Sequence, residues 1–382
     1  MHYLDNNATT QVAPQVLEAM MPFLNDSFGN PSSIYGPGRA ARGTIDQARE
    51  NVADLLGAAE ADEIVFTSCG TESDNWAVLG ALEAAPANRH IITTQVEHEA
   101  IRKLADKFER NAVRVTRLSV DPDGAIDLGE LQTELSPDTA IVSVMHANNE
   151  TGIIFPVEEI AATVKEHSRA LMHVDGVNAV GKIPIDLKNT SIDLYSISAH
   201  KFHGPKGIGA LYISRGIELP PMLTGGGQEN NRRPGTEAVH QIAGIGAAAK
   251  FVSDLSEMER VRALRDELEK KILENIPIAR LNGTADPFKR LPNTSSISFE
   301  NVNGEAILSR LDDLGICVST GSACASSDHS ISPVLQAMNI PYAWAAGTIR
   351  FSLGRFNNEA DIEAVFADLP GIITNLRRLA AD

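Results

Sequence analysis

Residues 198–207, Ser-Ala-His-Lys-Phe-His-Gly-Pro-Lys-Gly, place a lysine, two histidines and a serine at the end of an apolar run. The amine of Lys201 can hold a carbonyl group as a Schiff base, and Ser198 and His200 offer hydrogen-bond donors to an anion beside it. A second apolar run ends in Asp175, within His-Val-Asp-Gly-Val. A carboxylate at a strand end is the partner a pyridinium nitrogen needs. Together these residues point to pyridoxal 5'-phosphate.

Further groups of the right chemistry stand at other junctions. Residues 67–73, Thr-Ser-Cys-Gly-Thr-Glu-Ser, join an apolar run to a helical pattern. The Gly70 and Thr71 amides should therefore face outward from a helix N-terminus, which favours an anion. Taken alone, Thr71 and Ser73 read as N-caps; beside Ser198 and His200, an anion cup is the better reading. His98, after residues 91–95, can stack on a planar ring and exchange protons near neutral pH. His146, His173, His203 and His240 read as structural. In residues 148–151, Asn-Asn-Glu-Thr, an amide can donate to a phenolate or a carboxylate. Arg350 lies between strand-type apolar residues, where an unpaired charge is costly. Two partners remain open for it, a bound carboxylate or an internal Asp or Glu.

Three cysteines, Cys69, Cys317 and Cys324, are too few and too odd in number for a disulfide framework, and they lack zinc-ligand spacing, so no metal is expected. Cys317 sits in an apolar context suited to an inert thiol. Cys324, in Ser-Thr-Gly-Ser-Ala-Cys-Ala-Ser-Ser, is surrounded by small residues in a polar stretch, poised for nucleophilic attack once deprotonated. The triplet Gly225-Gly226-Gly227 lacks P-loop spacing and no Gly-x-Gly-x-x-Gly stands at a strand-to-helix turn, which disfavours nucleotide chemistry.

The elements that must position these groups alternate from residue 63 to 213: short β-branched runs separated by helical patterns. Such alternation predicts βαβ units and a mainly parallel sheet with ligands beyond its carboxyl ends. Residues 237–275 read as a long amphipathic pattern leading to a smaller α+β unit, with strands at 295–299 and 348–353 and a helix at 304–314. Residues 319–333 read as a loop. The expected division is a large domain of residues 12–255 and a small one of residues 1–11 and 256–382. The chain has 382 residues, 43% of them hydrophobic, and a formal net charge of −17. That charge disfavours nucleic acid or an acidic membrane surface as partner. No apolar run reaches membrane-span length and the N-terminus lacks signal-peptide character, so a cytoplasmic location is expected.

These motifs converge on a family. The chain resembles the cysteine desulfurases, the pyridoxal-phosphate enzymes of the NifS/IscS group, along essentially its whole length. The resemblance rests on residues 3–10, 28–33, 67–74, 147–152, 199–207, 225–229, 232–236, 321–324 and 349–353. Residues 67–74 are more similar to the NifS branch, associated with nitrogenase cluster assembly. The resemblance implies a homodimeric fold-type-I enzyme, an α/β protein with a large mainly parallel sheet domain and a smaller α+β domain. It also implies removal of sulfur from L-cysteine to give L-alanine and a persulfide on Cys324, for transfer to an iron-sulfur scaffold or other acceptor protein. By the same resemblance Lys201 is the Schiff-base lysine, Asp175 the ring-nitrogen partner and His98 the stacking acid/base. Gly70, Thr71, Ser198 and His200 hold the phosphate, with Thr236 reaching across from a second subunit. Asn149 and Arg350 hold the substrate carboxylate. Two places depart from the pattern. Asn178 stands where the family usually has glutamine, one methylene longer, next to the cofactor's phenolic oxygen, and Asn230-Asn231 stand where it often has Arg-Gly. A selenocysteine lyase or a fold-type-I aminotransferase would keep Lys201 and Asp175, but a transaminase has no use for Cys324. A non-enzymatic sulfur-trafficking scaffold would have no use for the three together.

Overall fold

The computed structural model describes residues 1–320 and 331–381. The chain opens on a two-residue strand, β1 (His2–Tyr3), and among the described residues the larger sheet has seven strands. These are β2 (Ile64–Thr67), β3 (His90–Thr94), β4 (Arg114–Leu118), β5 (Thr139–Met145), β6 (Leu171–Asp175), β7 (Leu194–Ser198) and β8 (Gly209–Ile213). Their spatial order is β2-β8-β7-β6-β5-β3-β4. Strands β7, β6, β5, β3 and β4 pair in parallel, and β8 runs antiparallel to both its neighbours, β7 and β2. Every residue of β2, β3, β5, β7 and β8 is buried. Strands covered on both faces read as continuous apolar runs, and that is why they were visible in the sequence. Because the central strands are parallel, Asp175, Ser198 and the segments after β3 and β5 all emerge at one edge.

The helix Gly36–Leu56 buries Ala41, Ile45, Ala48 and Val52, spaced three and four apart, against the helix Val239–Val252. Close approach is possible because Gly246 faces Ala48, where a Cβ would come within 2.5 Å of the Ala48 Cβ. Gly57, at φ +59°, ends the first helix in a left-handed cap.

The amphipathic pattern over residues 237–275 resolves into two helices, Val239–Val252 and Glu257–Asn275. Asp254 accepts a hydrogen bond from the Ser256 amide between them, so the chain reverses into a second layer where polarity alone showed continuity. The second helix packs on a three-stranded antiparallel sheet of β9 (Ala279–Leu281), β10 (Thr294–Phe299) and β12 (Thr348–Ser352). The remaining strand, β11 (Ile316–Cys317), pairs in parallel with β1.

One apolar core gathers residues from 13 to 252, and a second gathers Leu4 with residues from 258 to 373. Val334, Leu335, Met338, Ile340 and Ala345 join the first core, although the sequence placed them in the smaller unit. Pro333 is likewise not loop. It opens a helix, Pro333–Ala337, capped by the Ser332 hydroxyl, which accepts from the Val334 and Leu335 amides. The same hydroxyl donates to Glu150 in the larger unit, which holds the helix there.

Candidate active site

Strand β7 hands over to a short 3-10 turn, Ala199–Lys201, which turns Lys201 back across the strand ends. Its Nζ donates to the carbonyls of Asn7 (2.5 Å) and Ala8 (3.2 Å). The N-terminal residues Asn7 and Ala8 are therefore part of the site. Thr10 ties them down by donating from both its amide (2.8 Å) and its hydroxyl (2.9 Å) to the His200 carbonyl.

One strand over, Asp175 is buried, with Oδ1 accepting from the Val177 amide at 3.0 Å. Burial pushes its carboxyl upward, while the neighbouring His98 and Lys201 pull the other way. A buried carboxyl at a strand end, whose one side-chain hydrogen bond among the described residues comes from a backbone amide, is suited to a ring N–H⁺ arriving from the open side. Behind it lie two more buried carboxyls. Glu97 is pushed up to about 8 by burial, and Asp74 is raised by burial and by Asp175. His173, bonded to Ser143 and Ser196, is pushed down to about 3 by burial, and His146, bonded to Tyr195, to about 4. Both keep the structural role read for them.

His98 is exposed and N-caps the helix Glu99–Glu109, its Nδ1 accepting from the Ala100 amide at 3.2 Å. The neutral ring therefore carries its proton on Nε2, the nitrogen left for chemistry.

The helix Gly70–Ala84 begins with no side-chain cap, its N-cap residue being Cys69. Neither Thr71 nor Ser73 caps it: Thr71 is exposed, and the Ser73 hydroxyl is shared with Thr67 at 2.8 Å and reaches the Cys69 carbonyl. A Cβ at Gly70 would lie 2.6 Å from the Val177 methyl and 3.5 Å from the Ser198 Cβ. Glycine thus lets the uncapped amides approach the ends of β6 and β7. His200, its Nδ1 3.2 Å from the Thr9 hydroxyl, completes that side, pushed down to about 4 by burial and by Lys201, Lys206 and Lys182.

Across the site, Arg350 is buried on β12, donating to Asp5 Oδ1 (2.6 Å) and to the Asn149 carbonyl (2.9 Å), while its Nε has no partner among the described residues. Of the two partners left open by the sequence, the internal carboxylate is present, in Asp5. Asn148 is consumed structurally, since its Oδ1 accepts from the Glu150 and Thr151 amides at 2.9 Å. Asn149, half-buried, meets Arg350 through its backbone, and among the described residues its side-chain amide makes no hydrogen bond. Thr236 is exposed and among the described residues makes no hydrogen bond to the groups around Gly70 and Ser198. Cys324 lies outside the described residues. Cys317 is half-buried, its thiol pushed up by burial and by Asp312 and Asp5.

Residues not singled out beforehand complete the site: Asp5, Asn7, Val177 and Lys182. The Lys182 ammonium is buried and donates to the Asn178 carbonyl (2.8 Å) and to Asn178 Oδ1 (3.0 Å). Asn178 Nδ2 is buried without a partner among the described residues. An orphaned donor, a carboxyl awaiting a cation, an amine and an uncapped helix start at one sheet edge fit pyridoxal phosphate.

This architecture and strand-edge site define a fold-type-I pyridoxal-phosphate enzyme. Residues 2–365 match the family model for class-V aminotransferases, and the chain belongs to that family. It is 51% identical over 379 residues to cysteine desulfurase 2 of Trichormus variabilis, spanning 99% of this chain and 94% of the relative. It is 48% identical over 380 residues to cysteine desulfurase NifS of Azotobacter vinelandii, with the same coverage of 99% and 94%. A solved structure described as a NifS-like protein superposes with a TM-score of 0.91 at 38% identity, covering 98% of this chain and 99% of that one.

Proposed function

We propose that this chain is a cysteine desulfurase, working as a cytoplasmic homodimer that takes sulfur from L-cysteine and passes it to an iron-sulfur scaffold or other acceptor protein. Residues 12–255 form its large unit in this reading, and residues 1–11 with 256–382 the small one. The observation that carries the reading is the convergence of Lys201, Asp175 and the uncapped Gly70 helix start on one sheet edge, in a chain that also bears Cys324 in a run of small residues.

When bound, pyridoxal phosphate supplies a carbonyl for the substrate amine and an electron sink for the α-carbon. The residues around it divide the work. Asp175 keeps the ring nitrogen protonated. The Gly70 and Thr71 amides, Ser198 and His200 take the phosphate, with Thr236 contributed by the second subunit. Arg350 and Asn149 orient the substrate carboxylate, and Lys201 removes the α-proton. The Cys324 thiolate attacks the substrate sulfur, so that the substrate's C–S bond breaks as an S–S bond forms, leaving a persulfide on Cys324. The carbon that loses sulfur gains a proton, moved by His98 through Nε2, and L-alanine is released.

The test is alanine formation from L-cysteine by enzyme loaded with pyridoxal phosphate. The reading expects stoichiometric alanine and sulfane sulfur, and none from Lys201→Ala. Turnover of selenocysteine alone would favour a selenocysteine lyase, and amino transfer to a keto acid an aminotransferase.

A further inference from the structure

Lys182 Nζ donates to Asn178 Oδ1 at 3.0 Å, which turns the oxygen of that amide toward the lysine. A second bond from the same ammonium to the Asn178 main-chain carbonyl, at 2.8 Å, fixes both ends of the contact. Nδ2 is thereby turned to the opposite side, where it is buried and finds no acceptor among the described residues. Asn178 stands three residues after Asp175, on a tight turn in which the Ala179 and Val180 amides donate to the Gly176 carbonyl. Without Lys182, a rotation of the amide by half a turn would present the oxygen instead, an acceptor against an acceptor.

The ammonium is held there despite an unfavourable setting. Burial, then the charges of Lys201 and Arg350, push Lys182 well below its ordinary value. His200 and His203 feel its charge in turn. Lys182 and Lys201 also line one small cavity of about 20 Å³ between the two cores. A buried amine beside two cationic side chains calls for a role beyond packing.

We infer that Lys182 is a positioning residue, which locks the Asn178 amide with its N–H toward the phenolic oxygen of the bound cofactor. This rests on the pyridoxal-phosphate reading of the site. It also gives the shorter asparagine a way to do the work of a glutamine, since a pinned amide needs no freedom to find its orientation.

The experiment is a double-mutant cycle on the holoenzyme, read as the pH midpoint of the cofactor's visible absorption band. Donation to a phenolate favours its charged form, so losing the donor raises the midpoint, by on the order of one pH unit. Asn178→Ala and Lys182→Met should each raise it, and the double variant should move no further than Asn178→Ala alone. Additive shifts in the double variant would show that Lys182 acts by its charge and would overturn the inference, as would an unchanged midpoint in Lys182→Met. Lys182→Gln keeps a donor without the charge and covers the case in which methionine impairs folding. Its midpoint should stay near that of the unmutated enzyme, and a shift equal to that of Asn178→Ala would overturn the inference. If the unmutated protein forms no such band and borohydride fixes nothing to Lys201, the cofactor reading itself falls and this inference with it.

Discussion

Ser332 donates its hydroxyl to Glu150 at 2.5 Å, joining the residue that caps the Pro333–Ala337 helix to the turn that carries Asn149. On the other side of residues 321–330, Ser319 exchanges both main-chain hydrogen bonds with Arg350, at 2.6 and 3.2 Å. The stretch of sequence bearing Cys324 thus begins and ends on the two residues assigned to the substrate carboxylate or their immediate neighbours.

Ser332→Ala should weaken that anchorage without touching the cofactor. A typical hydrogen bond contributes about 0.5–1.5 kcal/mol net to stability. The variant should keep full cofactor content, lose stability by that order, and lose severalfold in kcat/KM for L-cysteine if the anchorage positions Asn149. Unchanged kinetics with an unchanged melting temperature would show the contact to be incidental.

Glu97 sets an alkaline limit on stability. Its carboxyl accepts from Thr94 (2.7 Å) and the Met145 amide (3.1 Å) and is pushed up to about 8 by burial. The folded state therefore holds a proton that the unfolded state releases. The stabilisation is complete below 4.5, the ordinary value, and is lost as pH rises through about 8. Glu97→Gln should flatten the decline in melting temperature across that window. The acid limb should persist, because His146 and His173, pushed down to about 4 and 3, cost stability as pH falls below the ordinary 6.5. An alkaline limb as steep as before would remove Glu97 as its source.

Glu229 accepts two hydrogen bonds from Arg49, at 2.7 and 2.8 Å, and one from the Phe66 amide at 2.9 Å, all buried. It anchors a segment in which Glu229, Asn230 and Asn231 have φ of +48°, +56° and +65°. Removing one partner of a buried pair costs about 3–5 kcal/mol. Glu229→Ala should lower stability by that order and, by loosening the segment leading to Thr236, reduce both dimerisation and cofactor retention. Denaturant titration and sedimentation measure the two effects; a stable, fully dimeric variant would argue against the anchoring role.

Gly70→Ala tests the phosphate cup. The added Cβ meets a β-branched valine 2.6 Å away, which cannot swing aside freely. Cofactor affinity should fall severalfold or more while the fold persists, as read by equilibrium dialysis against pyridoxal phosphate. Affinity equal to that of the unmutated protein would place the phosphate elsewhere.

The strand-end residues were legible because central parallel strands are uninterrupted apolar runs, and Asp175, Ser198 and Lys201 punctuate them. Gly70 was legible for the same reason, at the start of a helix following a strand. Partners joined across long sequence separations were not. Asp5 meets Arg350 and Arg49 meets Glu229 across 345 and 180 residues, and no local periodicity marks either pair. Lys182 escaped notice because its contact with Asn178 runs through an irregular turn, where a spacing of four residues carries no helical meaning. The break after Val252 was hidden for a different reason: Ser253 and Asp254 continue the polar pattern of the helices on either side. The Pro333–Ala337 helix did carry its signal, a serine before a proline, within a stretch whose composition otherwise reads as loop.

The most direct measurement is mass spectrometry of the protein after a single turnover with L-cysteine, with alanine quantified in the same sample. Cys324→Ser keeps the cofactor machinery and replaces a thiol with a hydroxyl that cannot accept sulfur. The unmutated enzyme should carry one added sulfur on Cys324 with one equivalent of alanine, and Cys324→Ser should retain pyridoxal phosphate yet release almost no alanine. Added sulfur on Cys69 or Cys317, or alanine from Cys324→Ser at the unmutated rate, would contradict the account.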